Sequence, residues 1–269
     1  METRTSQYDG KLICLSKNLK DKYVNAFGFR NGFDVQDYNF DYGDTPILIR
    51  GMTNNNLINR CWKNNHLFYY MDSGYFGNHI SPANKNGYKY WHRIVPNDLQ
   101  HNNIIERPDD RLIKTGTKIH RQRKGGEHIL LVTPSEKPCK FYGIDRNQWV
   151  DQTIEQIKKY TNRPIKIRDK DSRQHRHRNP IYSDLQKCHA VVTYQSIAAV
   201  ESVAYGIPAF TLAPTAADPV CDKDLSLLDN PTIQYYDKVY AWASHLAYGQ
   251  VHMKEIKKGY MDKLLYEIG

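Results

Sequence analysis

The stretch best suited to chemistry runs Thr193-Tyr-Gln-Ser-Ile-Ala-Ala-Val-Glu-Ser-Val-Ala-Tyr-Gly-Ile-Pro-Ala-Phe210. An apolar strand pattern ends at Thr193, and Gln195, Ser196 and Ile197 open a helix of small residues. The first N–H groups of a helix have no partner inside it, so they face whatever anion lies at the strand's carboxyl edge. Glu201, one and a half turns in, is able to face the same crevice. A carboxylate there suits vicinal hydroxyls such as those of a ribose, because it accepts two hydrogen bonds at once. The same pattern fits an ordinary crossover with Ser196 as the helix cap and Glu201 in solvent. Two basic clusters, Lys118–Lys124 and Arg173–Arg178, add a second chemistry. Arg121, Arg123, Arg173, Arg176 and Arg178 would hold a polyanion by its phosphates, or else form solvated loops.

The elements that would position these residues follow from the hydrophobic pattern. Apolar pieces at Lys11–Leu15 and Tyr23–Phe29 sit among Gly, Asn and Asp. Pro46–Gly51 predicts a strand, Asn54–Asn64 a polar helix and Leu67–Asp72 a second, aromatic strand, together a βαβ unit. Tyr88–Val95 alternates like a strand, and Lys114–Gly126 is a basic connection ending in glycine. Beyond it, strands at 128–133, 164–168, 189–193 and 207–212 alternate with helices at 148–160, 181–188 and 197–205. Such alternation predicts a parallel sheet with covering helices. The tail from Tyr236 reads as helical throughout, with glycine breaks at Gly249 and Gly259. The fold class is α/β, in two halves joined near residue 125.

Composition bounds the function. The 269 residues carry 38 Lys+Arg against 29 Asp+Glu, a net charge of +9, with 40% hydrophobic and 25% charged residues. Disorder and fibrous repeats are excluded by that usage, and the charge favours an anionic partner. No apolar run reaches the roughly 18–20 residues that span a bilayer, and the N-terminus lacks the layout of a signal peptide. The five cysteines are scattered and never spaced as CxxC, which disfavours a disulfide framework or a zinc site and fits a reducing, cytoplasmic setting.

The serine-containing helix start, the glutamate, the glycine five residues later and the Ile-Pro opening of the next strand resemble the donor-binding helix of GT-B glycosyltransferases. The peptidoglycan N-acetylglucosaminyltransferase and the nucleotide-sugar 2-epimerases share that helix. The resemblance covers residues 128–220, although Thr133-Pro-Ser-Glu136 stands where many relatives have a glycine-rich loop. It implies two Rossmann-like domains around a cleft, here 1–126 on the acceptor side, 127–250 on the nucleotide-sugar side, and a helix at 251–269 returning to the first domain. In length and basicity the chain also resembles phage DNA glycosyltransferases, the group containing the T-even β-glucosyltransferase.

The resemblance implies a nucleotide-diphosphate sugar as donor, with UDP as the expected nucleotide. It would be bound at Ser135, Arg168, Gln195, Ser196, Ile197, Glu201 and Asp218, with a divalent metal possible but not required. Arg168 can offer a forked pair of donors to phosphate, or be an ordinary surface cation. Transfer needs a base for the acceptor hydroxyl, and Asp72, at the end of a strand beside Ser73-Gly74, is the candidate. The alternative for Asp72 is a turn cap; His79, His92 and Asp110 stand in reserve. Tyr75, His79 and His92 would meet the acceptor beside the arginines. The expected reaction is an inverting transfer to a hydroxymethylated base, such as hydroxymethylcytosine, in double-stranded DNA. The alternatives are a glycan or cell-surface acceptor, or a non-catalytic DNA-binding protein. No membrane partner is expected, and the host cytoplasm is the expected site if the protein is viral.

Overall fold

The computed structural model describes residues 12–31, 35–52, 55–78, 90–169 and 180–268. In chain order the elements are β1 (Ile13–Leu15), α1 (Lys22–Asn31), β2 (Ile47–Arg50), α2 (Asn55–Lys63), β3 (Phe68–Ser73), β4 (Trp91–Pro96) and α3 (Asp110–Thr115). There follow β5 (His128–Val132), α4 (Glu136–Tyr142), α5 (Arg146–Tyr160), β6 (Ile165–Arg168), α6 (Ile181–Leu185), β7 (Cys188–Thr193) and α7 (Ala198–Ala204). The chain ends with β8 (Ala209–Thr211), α8 (Tyr236–Tyr248), β9 (Gln250–His252), α9 (Met253–Lys258) and α10 (Tyr260–Ile268). It divides into two compact units: described residues within 1–74, 89–101 and 248–269, and those within 75–88 and 102–247.

The second unit is built on a sheet of order β6-β5-β7-β8, parallel throughout. β5 and β7 are buried at every position, as central strands covered on both faces must be. Alternate residues serve opposite faces. Ile129 and Leu131 pack with Ile157 of α5, while Leu130 and Val132 join the cluster containing Val203 of α7 and Trp242 of α8. α5 begins where Asp145 accepts a hydrogen bond from the Gln148 N–H at 2.8 Å, a cap that its sequence specifies. Gly206 ends α7 at a φ of +84°, and a Cβ there would lie 2.5 Å from the Arg121 carbonyl oxygen. Both constraints demand glycine.

That close approach belongs to a longer feature. The His120 N–H donates to the Ala204 carbonyl, the Arg123 N–H to Gly206 and the Glu127 N–H to Lys187. Residues 120–127 therefore run along the amino ends of β8, β7 and β5. The basic cluster Lys118–Lys124 lies at the amino edge of this sheet, opposite the edge where the strand-end residues sit.

The first unit has the order β1-β2-β3-β4-β9. β1, β2 and β3 are parallel, as the βαβ pattern predicts, but β4 is antiparallel to both β3 and β9. β9 corrects the reading of a wholly helical tail. Gly249 leaves no room for a side chain, since a Cβ would meet the His101 ring at 2.3 Å. The chain turns there, and His252 pairs with Trp91. Met261, Leu264 and Leu265 of α10 are fully buried in the cluster that holds Leu48, Met71 and Ile94. Each such side chain contributes about 1.5–3 kcal/mol, so packing rather than intrinsic propensity holds this nine-residue helix. No helix among the described residues is long and apolar enough to cross a membrane.

Two observations bear on pH and redox behaviour. None of the five cysteines forms a disulfide, and burial raises every thiol, Cys14 and Cys188 to about 12, so none is a reactive thiolate. Burial, reinforced by Arg107, lowers the His245 imidazole from 6.5 to about 4. Below pH 6.5 the unfolded chain then takes up a proton that the folded chain accepts only near pH 4. Stability is expected to fall between those values by about 3 kcal/mol in full, at about 1.4 kcal/mol per pH unit. Urea titrations at stepped pH check this, and a His245→Gln variant should show a shallower acid limb.

Candidate active site

In an open parallel sheet, ligands bind outside the carboxyl ends of the strands, where the strand order reverses. In the order β6-β5-β7-β8 that point lies between β5 and β7. The loops leaving those two strands carry Ser135, which precedes α4 in extended conformation, and Gln195-Ser196-Ile197, which lead into α7. A hydrogen bond of 2.6 Å from Gln195 Nε2 to the Tyr142 hydroxyl ties the loop after β7 to the last residue of α4. Ser196 Oγ accepts from the Ala198 N–H at 3.2 Å and so serves the helix start. Four small buried residues of α7 (Ala198, Ala199, Ser202 and Ala204) seat it closely on the sheet.

The structure brings Arg168 and Asp218 to the same edge, each with a protein partner. Arg168 Nη1 is bonded to Asp184 of α6, so its guanidinium is already engaged by a carboxylate. Asp218 accepts from the Thr215 N–H at 3.1 Å and Thr211 Oγ1 at 3.2 Å, and pairs with Lys223 at 2.8 Å. It thereby shapes the loop after β8. Glu201 is half-buried and lies near Tyr182 of α6, whose phenol is raised first by burial and then by the Glu201 charge. Sequence reasoning missed a second cluster at this edge. Arg146 reaches Asp169 at 2.5 Å, Thr133 Oγ1 at 3.0 Å and the Pro134 carbonyl at 3.1 Å. It missed the aromatic wall too, where Tyr194 meets Tyr142 and Trp149 edge-on at 5.6 and 5.8 Å.

Asp72 is the next-to-last residue of β3, near the strand's carboxyl end. It accepts from the Tyr70 hydroxyl at 2.9 Å and lies 3.4 Å from Arg50 and 3.9 Å from Arg93. Arg50 continues to Asp21 at 3.1 Å, and Arg93 donates to the Ser73 carbonyl at 2.7 Å. Within this chain of alternating charges Asp72 is the most exposed member, at 35% against 8–16% for the others. Burial above all, and next the Asp72 charge, push the Tyr70 phenol well above its ordinary value, so Tyr70 remains a proton donor to Asp72. Arg50 was legible by the argument that singled out Arg168, since each is an arginine ending a strand.

Of the residues expected on the acceptor side, Tyr75, His92, Arg121 and Arg123 are among the described residues. Tyr75 is 4% exposed and packs in the second unit's core, and His92 is fully buried against the Tyr23 ring, centroids 3.8 Å apart. Neither has surface to offer an acceptor. At the amino edge, Arg121 lies over Tyr236 at 4.9 Å and Arg123 over Tyr205 at 5.8 Å. His79, Arg173, Arg176 and Arg178 lie outside the described residues. Asp110, the reserve base, opens α3 in the second unit. Among the described residues no group of three or more His, Cys, Asp or Glu is arranged to hold a metal ion.

The comparisons with known proteins bear on this geometry through fold. No protein-family model and no curated protein matches the sequence. Among solved structures, the chain is similar to the beta Kdo 2,4 transferase of Thermosulfurimonas dismutans KpsC. That match has 10% identity, a TM-score of 0.56, and covers 96% of this chain and 98% of that one. The likeness is one of fold. The beta Kdo 2,7 transferase of the same KpsC aligns over 95% of this chain and 98% of its own, at 12% identity and a TM-score of 0.49. The chain thus has a mixed α/β architecture, with a parallel sheet, that a glycosyltransferase also uses over nearly its whole length.

Proposed function

We propose that this protein is a glycosyltransferase that moves a sugar from a nucleotide-activated donor to a hydroxyl of a glycan or cell-surface precursor. One observation carries the reading: the switch point of the parallel sheet, between the neighbouring strands β5 and β7 whose loops carry Ser135 and Gln195-Ser196, occurs in a fold shared with a beta Kdo 2,4 transferase. The donor's phosphate would lie against the loops after β5 and β7, in the GT-B manner. Asp72 would accept the proton of the attacking hydroxyl. The acceptor oxygen bonds to the anomeric carbon as the carbon–oxygen bond to phosphate breaks, and its electron pair leaves with the nucleotide. No step in this scheme requires a metal.

A glycan acceptor is preferred to DNA because the described basic cluster, Lys118–Lys124, follows the amino edge of its sheet, away from the proposed donor crevice. Duplex DNA, with UDP-sugar as donor, is the competing reading, motivated by the +9 charge. A panel of nucleotide sugars, offered with glycans and with hydroxymethylated DNA and read by mass spectrometry, tests both. The expected product is a glycan heavier by one sugar. Glu201→Ala is expected to weaken the donor by about 1–3 kcal/mol if its carboxylate holds the ribose. Unaltered calorimetric affinity would remove Glu201 from the site. Failure of every nucleotide sugar to bind would overturn the enzyme reading.

A further inference from the structure

The first unit contains a concavity of about 550 Å³ that the proposed reaction does not use. It lies between the loop Tyr38–Asp44 and the end of α2, beside His66, just before β3. From His66 to Asp72 the chain runs roughly 20 Å at strand spacing, so this is the opposite edge of the sheet from Asp72. Tyr42 sits between two neighbours in the lining. Arg60 Nε donates to the Tyr42 hydroxyl at 3.1 Å with its guanidinium over that ring at 5.3 Å, and the His66 ring meets Tyr42 at a tilt of 53°, centroids 4.9 Å apart. His66 Nε2 is anchored 3.0 Å from the Thr45 carbonyl. Polar side chains of Asn39, Asp41, Asp44 and Asn64 line the walls, and Phe40 stands 40% exposed among them.

We infer that this concavity is a second carbohydrate-binding site, one that takes a short neutral oligosaccharide segment. Three features select that class. Planar amides and carboxylates beside an exposed aromatic ring match a sugar, whose hydroxyls need paired donors and acceptors and whose C–H face packs on a ring. Two aspartates outnumber the single arginine, which is held by Tyr42, so phosphate and uronate groups are repelled. The volume lies within the range of small-ligand sites, and the walls are too polar for an apolar ligand. The site goes beyond the proposed transfer reaction and stands or falls separately from it. Its role would be to retain a glycan at a distance from the reacting hydroxyl, adding affinity by a second attachment.

The test is a titration of the full chain, followed by NMR or calorimetry, with maltotriose, chitotriose and trigalacturonic acid. At least one neutral trisaccharide is expected to bind with a Kd of about 1 mM or tighter, and trigalacturonic acid is not. Phe40→Ala and Asp44→Asn, both exposed positions that leave the core untouched, are expected to weaken that binding at least about fivefold. Nucleotide-sugar affinity, measured on the same variants, should stay unchanged. Absence of neutral trisaccharide binding, preference for the acidic one, or indifference to both substitutions would each overturn the inference. Failure of nucleotide sugars alone to bind would overturn the proposed reaction and leave this site standing.

Discussion

Asp72→Asn is expected to lower turnover by about 100-fold or more while leaving donor affinity intact. The proposed reaction gives Asp72 one task, to take the proton of the acceptor hydroxyl, and general-base catalysis is typically worth 10²–10⁴-fold. The amide keeps the shape of the carboxylate and its bond from the Tyr70 hydroxyl, but takes up no proton near neutral pH. It also deprives Arg50 and Arg93 of a negative partner. A second variant separates chemistry from architecture. Arg93→Lys retains a charge beside Asp72 while losing the guanidinium that donates to the Ser73 carbonyl. If turnover depends on the base, Asp72→Asn falls much further than Arg93→Lys at equal stability. Equal losses in the two would show the ion-pair chain acting only as a scaffold, and normal turnover in Asp72→Asn would place the base elsewhere.

Trp242→Ala is expected to destabilise the second unit by about 3–5 kcal/mol, read as a lower denaturant midpoint. Trp242 is fully buried in α8, meets Phe76 edge-on at 6.2 Å and donates its indole N–H to the Ala216 carbonyl at 2.6 Å. Truncation removes the largest side chain of its cluster and leaves that carbonyl without its partner, so cavity and desolvation costs add. Trp242→Phe fills most of the volume and isolates the hydrogen bond, with an expected loss of about 1–2 kcal/mol. Because the Ala216 carbonyl lies next to the turn that Asp218 organises, the variant also reports whether the loop after β8 depends on the core beneath it.

How legible each half was follows from how its strands are buried. β5 and β7 are covered on both faces, so His128–Val132 and Cys188–Thr193 read as near-continuous apolar runs. α7 is short and made of small residues because it lies close to the sheet. These are local signals. The first half gave weaker ones. β1 has three residues, and β4 alternates in sequence yet is buried at five of its six positions. α4, adjoining the break at Pro134, escaped notice because Lys-Pro-Cys-Lys lacks an amphipathic repeat. β9 was hidden inside a helical tail, since a three-residue strand exists only through its pairing with β4.

The candidate site divides in the same way. Ser135, Arg168 and Gln195 could be placed at strand ends from the chain alone, because a strand that stops at a loop carries its last side chains to one edge. What each does there was decided by residues distant in sequence. Arg168 is paired with Asp184, Gln195 with Tyr142, and Asp72 with Arg50 and Arg93. The same holds for burial: His92 and Tyr75 look available in sequence, and the tertiary structure encloses both. By itself, then, the sequence determined an α/β chain with a parallel sheet and a helix of small residues opening at a strand's end, for these depend on spacing and side-chain size within a few turns. Only the tertiary structure decided which charges neutralise one another, which edge carries the basic cluster, and where a polar concavity opens. Those properties depend on distances between segments that no local pattern encodes.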